Sequence, residues 1–200
     1  MLESLDYKWV LAGIAMLISI INVSFYLRSV FIGKTKPHMF TWLIWGIVTG
    51  VVALAQLSEG AGAGGYYILY LMAVCLTIAA LAYFKGIRDI KKSDIACLVV
   101  CFIAIIIWPL TKDPLYSVLL LLFIDLLGYY PTIRKSYNNP HEENIKLFAI
   151  TILTYSLSIL ALSNYNFITI IFPATMVLMA SIMVLFLAIR RHQLGCKIWD

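Results

Sequence analysis

Charged residues are scarce in this sequence: aspartate, glutamate, lysine and arginine together make up 12% of its 200 residues. A soluble domain carries about twice that share of charge. Apolar residues reach 62%, so much of their surface has to face something other than water. This composition excludes a soluble enzyme and a nucleic-acid-binding domain, and it predicts a lipid bilayer as the main partner.

Patterns that carry chemistry are also missing. Apolar and polar residues do not alternate with a period of two, which argues against an outer-membrane barrel. The cysteines lack metal-ligand spacing apart from one helical pair within an apolar segment, and no set of histidine and carboxylate residues repeats within a segment. The glycine-rich run at 58–65 follows no strand, which excludes a dinucleotide fingerprint. We therefore expect no enzymatic activity, no cofactor and no metal.

Long apolar segments are what the sequence has instead. A bilayer core about 30 Å thick needs about 20 apolar residues of helix. Helices are the expected structure because lipid offers no partner to backbone polar groups. A tight turn at 111–114 is expected between the fourth and fifth segments. Seven segments approach the required length: Trp9–Phe31, Phe40–Leu57, Tyr66–Phe84, Ile95–Leu110, Leu115–Tyr130, Ile145–Leu162 and Phe167–Ile189.

Basic residues collect at one end of these segments. Of fifteen lysines and arginines, all but Lys8 and Lys112 lie near the ends of segments one, three, five and seven or in the connections that follow them. The positive-inside rule then predicts an N-terminus outside and a C-terminus inside. The short loops favour a bacterial inner membrane.

The two halves of the chain resemble each other when one is shifted by 103 residues. Three segments, a single fourth and three more then form two parallel repeats, related by an axis along the membrane normal. The predicted units are a three-helix bundle at 1–85, a loop and linker helix at 86–113, a second bundle at 114–189 and a tail at 190–200. The shift aligns Asn22 with Asp125, Tyr26 with Tyr129, Trp45 with Phe148, and Pro37-His38 with Pro140-His141.

This three-one-three layout resembles the SWEET, PQ-loop and cystinosin-like transporters, and more distantly the KDEL receptors and the nicotinamide riboside carriers. The local resemblance is best at 125–136, DLLGYYPTIRKS. Members carry Pro-Gln near that helix end, in some cases after an acidic residue and a glycine, and before basic residues. Here Thr132 replaces the glutamine, and Arg28-Ser29 stands where the first copy would have its proline pair. The resemblance implies a transporter of a small polar solute that works by alternating access.

Asp125 is the strongest indication of a functional site. It lies ten residues into its segment, about 15 Å along a helix, and thus near the bilayer midplane. An ionised carboxylate there is costly, so it must face a polar cavity, pair with a donor or hold a proton. We interpret Asp125 and its repeat mate Asn22 as groups that contact the substrate or couple protons. A structural carboxyl bonded to a neighbouring helix is the alternative.

Aromatic and hydroxyl side chains supply further candidates. Trp45 and Tyr70 lie deep in their segments and could stack on a flat or sugar-like ligand, although core packing also explains them. Thr154 and Ser158 belong to a polar stripe on segment six that lines a solute path or joins helices. Tyrosines near segment ends are typical of an interfacial belt; they include Tyr67 and Tyr129.

Prolines and glycines point to backbone features. Pro131 and Pro173 each free a carbonyl within a segment and are candidate hinges of a gate. Gly46 and Gly50 form a small-xxx-small pair that lets another helix approach closely, including one of a second chain in an oligomer.

The sequence therefore predicts a transporter or facilitator of a small polar solute, with proton coupling through Asp125 as an option. A receptor or assembly factor that uses the same cavity without transport is the competing class. An intramembrane enzyme acting on lipids ranks last, because only one carboxylate is embedded.

Overall fold

A computed structural model describes residues 2–87, 90–107, 110, 114–195 and 197–199. These residues contain no strand, and a short 3₁₀ helix at Pro140–Glu142 precedes the sixth α-helix. The α-helices are α1 (Leu2–Phe31), α2 (Met39–Ser58), α3 (Ala63–Lys85), α4 (Lys92–Ile107), α5 (Pro114–Asn138), α6 (Ile145–Leu160) and α7 (Phe167–Gln193).

Each apolar segment overlaps one of these helices within the described residues, and one difference is the end of α5. This helix passes through Pro131 and ends at Asn138 rather than at Tyr130. The added turns are stabilised by the connecting loops, because the buried Lys135 donates to the carbonyls of Lys36 and Glu142. The tight turn expected at 111–114 lies outside the described residues apart from Pro114.

Asparagine caps begin the last two helices. The Asn166 side chain accepts a hydrogen bond from the Thr169 amide (2.9 Å), and the Thr169 hydroxyl accepts one from the Asn166 amide (3.0 Å). This reciprocal capping box satisfies two amides that have no partner within α7. Asn144 accepts from two amides of the first turn of α6 in a similar way. Local sequence therefore fixes where both helices start.

Among the described residues, four helices are long and apolar enough to cross a membrane: residues Tyr7–Phe31 of α1, and α2, α3 and α7. The helix α6 is also apolar, but its 16 residues span only about 24 Å. The outer faces are apolar too, since Leu17, Ile21 and Phe25 of α1 are each more than half exposed. Apolar surface of this extent is compatible with an integral membrane protein.

The packing of the helices repeats between the two halves of the chain. In the first half α3 packs on α1 and α2, and in the second half α7 packs on α5 and α6. Between the halves, α1 packs on α6 as α5 packs on α2, and α3 meets α6 as α7 meets α2. Exchanging α1 with α5, α2 with α6 and α3 with α7 therefore maps each of these contacts onto another. The helix α4 stands outside this pattern, against α5 and α2.

Gly46 and Gly50 bring α2 against α3 of the same chain. A Cβ at Gly46 would lie 2.6 Å from a methyl carbon of Leu76, and one at Gly50 would lie 2.8 Å from the sulfur of Met72. The close approach predicted for these glycines is thus made within the chain. Assembly of an oligomer through them stays a prediction, and both are buried here.

Candidate functional site

A cavity lies at the junction of the two halves, between α1, α2, α3, α5, α6 and α7. It contains about 690 Å³ of empty space, part of it open to the surface. No described residue of α4 lines it. Each half contributes polar side chains, including Asn22 and Thr49 from the first and Asp125 and Thr151 from the second. Residues far apart in the sequence therefore line one cavity.

Asp125 lies in the wall of this cavity and is only 1% exposed. Its Oδ2 atom has no hydrogen-bond partner within the described part of the chain. The carboxyl group thus faces the interior, as expected from its cost in lipid. That oxygen forms no hydrogen bond to a neighbouring helix. A structural carboxyl would be expected to make such a bond, so Oδ2 gives that alternative no support.

The repeat mate of Asp125 lies in the same cavity. Asn22 is buried, and its amide donates to the carbonyl of Leu147 on α6 at 3.3 Å. This bond joins the two halves, because α1 and α6 belong to different triplets. Asn22 therefore packs helices together and lines the cavity at once.

The other predicted site residues divide into two groups. Trp45 and Thr154 line the cavity. Tyr70 is half-buried with its ring 6.2 Å from that of Tyr67, and it does not line the cavity. The Ser158 hydroxyl donates to the Tyr155 carbonyl at 2.8 Å, and the Ser158 carbonyl faces Gly64 of α3. Ser158 does not line the cavity either. Their positions match the core-packing and helix-joining alternatives.

Two tyrosines assigned to the interfacial belt belong to the cavity instead. Tyr67 and Tyr129 are buried and line its wall, so the belt interpretation is wrong for both. The ring centroids of Trp45 and Tyr129 are 4.5 Å apart, and those of Tyr67 and Tyr155 are 6.1 Å apart. Position along a segment suggested an interface, but neighbouring helices cover these side chains.

Gly128 allows Trp45 to reach this position. A Cβ at residue 128 would lie 3.1 Å from the indole Nε1 of Trp45 and 3.1 Å from a methyl of Ile44. Such contacts are tighter than ordinary packing, so any larger residue would displace the indole. The glycine one turn from Asp125 thus sets how closely α2 and α5 approach beside the cavity.

Two polar atoms at the cavity lack partners among the described residues. They are Oδ2 of Asp125 and the indole Nε1 of Trp45. Buried polar groups are normally hydrogen-bonded, and an exception calls for an explanation such as a bound molecule. One acceptor and one donor from two helices around the same space are what a polar ligand would need.

The carbonyl that Pro173 leaves without a helical N–H accepts a hydrogen bond from another helix. Proline has no amide hydrogen, so the Thr169 carbonyl, one turn earlier in α7, receives no bond from it. The buried Gln56 of α2 donates its side-chain amide to this carbonyl at 2.9 Å. Gln56 therefore joins α2 to α7.

One end of the bundle is closed by a network of charges. Lys135 is buried with Glu143 and also donates to the carbonyl of Lys36 at 2.7 Å. Lys36 in turn pairs with Glu142 at 2.5 Å. These contacts tie the loop before α2 to the loop before α6, and so cross between the two halves. Arg191 adds bonds from α7 to the carbonyls of residues 140 and 143.

His38 extends this network to α4. Its Nε2 lies 3.3 Å from Asp94, which also accepts a 2.7 Å bond from Arg134. Burial lowers the pKa of His38; Asp94 opposes this effect, whereas the positive charges of Lys135 and Arg134 add to it. A neutral imidazole that donates to the carboxylate fits this environment. We name residues 36, 38, 94, 134, 135, 142 and 143 the charged latch.

The opposite end is held by hydrogen bonds to backbone carbonyls. The amide of Ser163 donates to the Ala61 carbonyl at 3.0 Å, and Asn164 donates to the Glu59 carbonyl at 3.0 Å. Lys8 of α1 donates to the Leu162 carbonyl at 2.6 Å. The turns between α2 and α3 and between α6 and α7 are therefore joined.

Sequence reasoning missed several residues of the cavity wall. Tyr129 lies four residues after Asp125, and Tyr155 lies four residues after Thr151, so helical spacing could have assigned both. Tyr67 on α3 carries no such signal. Its place depends on how α3 packs against α6.

The fold and the cavity together define an all-helical protein with at least four helices able to cross a membrane and a buried, aromatic-walled carboxylate at the junction of two similar halves. In comparisons with protein-family models, curated proteins and solved structures, the chain matches none.

Proposed function

We propose that the chain is a seven-span membrane transporter that moves a small polar solute by alternating access about the cavity. Its helices α1–α3 and α5–α7 would form two parallel repeats with α4 as linker, the N-terminus outside and the C-terminus inside. Membership of the SWEET and PQ-loop superfamily and a bacterial inner-membrane location belong to the same proposal.

The observation that carries this proposal is the position of the cavity between the halves. Its unpartnered polar atoms come from α2 of one half and from α5 of the other. A site between two repeats changes its exposure when one repeat rocks against the other. The packing pattern, which maps each half onto the other, supports the same mechanism.

The ends of the bundle supply the contacts that such rocking would exchange. The Lys36–Glu142 pair and the Lys135–Lys36 bond of the charged latch at one end cross between the halves, as do the Ser163–Ala61 and Asn164–Glu59 bonds at the other. We infer that one set opens while the other stays closed. Pro131 and Pro173 are the candidate hinges, and the Thr132 hydroxyl, which bonds that of Thr41 at 3.0 Å, ties the first hinge to α2.

Access to Cys75 tests the mechanism without knowledge of the substrate. Cys75 lines the cavity, so a variant that keeps it and replaces the other three cysteines by alanine provides one reporter. In sealed vesicles of known orientation, membrane-impermeant thiol reagents should label Cys75 from either side. Labelling from one side alone, together with no uptake by proteoliposomes of any sugar, amino acid, amine or nucleoside, would instead indicate the receptor class.

Single cysteines in the loops test the orientation. Ser58→Cys replaces an exposed hydroxyl at the end of α2, and Lys34→Cys lies in the exposed loop before α2. In the background without native cysteines, position 58 should be labelled only from outside and position 34 only from inside. The reverse result would overturn the orientation. Ser58 is preferred to Gly62 in the following turn, because a Cβ added at residue 62 would meet the Ser163 hydroxyl.

A further inference from the structure

We propose that the solute bound in this cavity is a small organic monocation, an amine with a hydrogen-bond acceptor elsewhere in the molecule. The inference rests on the proposed function in one respect, namely that the cavity is the solute site. It names the chemical class that the cavity is built to take.

Charge is the first argument. The carboxyl of Asp125 is buried in the cavity wall, and the described lining residues include no lysine, arginine or histidine. The nearest basic residues of α5 are already engaged, Arg134 with Asp94 and Lys135 with Glu143. A buried carboxylate is costly unless a positive charge accompanies it. A cationic ligand supplies that charge, whereas an anion would meet repulsion.

The aromatic wall is the second argument. The rings of Trp45 and Tyr129 adjoin each other, and so do those of Tyr67 and Tyr155, on the same cavity as Asp125. Ring faces attract cations, tryptophan most strongly, and the attraction grows when water is excluded. Aromatic rings around one carboxylate therefore favour an ammonium group over a neutral hydroxyl of the same size.

The unpartnered atoms define the rest of the ligand. Oδ2 of Asp125 can accept a bond from an ammonium N–H. The indole of Trp45 can only donate, so the ligand should present an oxygen or nitrogen acceptor to it. A zwitterion fits less well, because its carboxylate would find neutral donors but no cation. A proton and the amine would compete for Asp125.

Four molecules with one shared hydroxyphenyl group test the proposal. They are tyramine, a cation; tyrosol, its neutral alcohol; tyrosine, the zwitterion; and 3-(4-hydroxyphenyl)propionate, the anion. Binding to the purified full-length protein in detergent is measured by calorimetry. Tyramine should bind at least about tenfold more tightly than each of the others, which corresponds to about 1.4 kcal/mol. Equal or tighter binding of tyrosol or of the anion would overturn the proposal, as would no binding of any of the four.

Substitutions assign the preference to the carboxylate. Asp125→Asn keeps shape and hydrogen bonding, and it should bring the affinities for tyramine and tyrosol within about threefold of each other. Glu59→Gln, which removes a carboxylate outside the cavity, should retain the preference for tyramine. An unchanged preference in a folded Asp125→Asn protein would exclude the proposed counter-charge.

Labelling of Cys75 gives a second measurement that needs neither a variant of Asp125 nor a known substrate. Two methanethiosulfonate reagents are compared, one with a trimethylammonium group and one with a sulfonate group. The rate of each reagent with Cys75 is divided by its rate with a small free thiol. The cationic reagent should then react at least about tenfold faster, and equal normalised rates would count against a cation site.

The two proposals can fail separately. A preference for tyramine in binding, with labelling of Cys75 from one side and no flux, would retain the ligand class and remove transport. Flux of neutral solutes without any preference for tyramine would retain transport and remove the ligand class.

Discussion

The bond between Gln56 and the Thr169 carbonyl leads to a sharp prediction about stability. Replacing Gln56 by leucine places an apolar side chain of similar size between α2 and α7 and removes the donor. The carbonyl then has neither the side-chain amide nor the helical N–H that Pro173 lacks. We expect the loss to depend on this proline.

The magnitude follows from the burial of the carbonyl and from the surrounding helices. Leaving a buried acceptor unsatisfied costs about 1–3 kcal/mol, whereas hydrogen bonds between membrane helices average about 0.6 kcal/mol. We therefore expect Gln56→Leu to lower the free energy of unfolding by about 1 kcal/mol. In a Pro173→Ala background, residue 173 regains its amide hydrogen and can bond the Thr169 carbonyl. The same substitution should then cost less than about 0.5 kcal/mol.

A double-mutant cycle measures this difference. The free energy of unfolding is determined in mixed micelles by titration with a denaturing detergent for the parent, both single variants and the double variant. The cycle cancels the effect of Pro173→Ala on the unfolded chain. Gln193→Leu, at an exposed position of α7, is the control and should stay within about 0.5 kcal/mol of the parent. Equal losses from Gln56→Leu in both backgrounds would refute the reasoning.

Three further predictions concern the charged latch and one helix cap. Burial lowers the pKa of His38 despite Asp94, so the unfolded chain binds a proton more readily than the folded protein, and stability should fall as the pH drops below the ordinary pKa of 6.5. Thermal unfolding of His38→Gln should show a weaker pH dependence over that range. Glu143→Gln leaves the ammonium of Lys135 buried without its counter-charge and should cost about 3–5 kcal/mol, measured by detergent titration, whereas a loss below about 1 kcal/mol would contradict the role given to this pair. Asn166→Ala removes the cap of α7 and should cost about 0.5–2 kcal/mol, with Asn166→Asp retaining most of the stability in the same assay.

The features of the fold that could be predicted are those that depend on residues close together in the chain. The apolar segments and the helix ends are local properties, since the length of an apolar run and a cap such as Asn144 act within a few residues. Each of the seven segments therefore overlaps a helix among the described residues. The extension of α5 beyond Pro131 was missed because Lys135 is buried there and bonded to the Lys36 carbonyl, which is distant in the sequence.

The site was accessible from the sequence only in part. The interior position of Asp125 was determined by the sequence itself, because a carboxylate in a long apolar segment is too costly to face lipid. Its neighbours were decided by the tertiary structure. Tyr67 enters the cavity through the packing of α3, and Trp45 reaches it because Gly128 leaves room on α5. Hydropathy states which residues avoid water, but only the packing of helices determines which of them face one another.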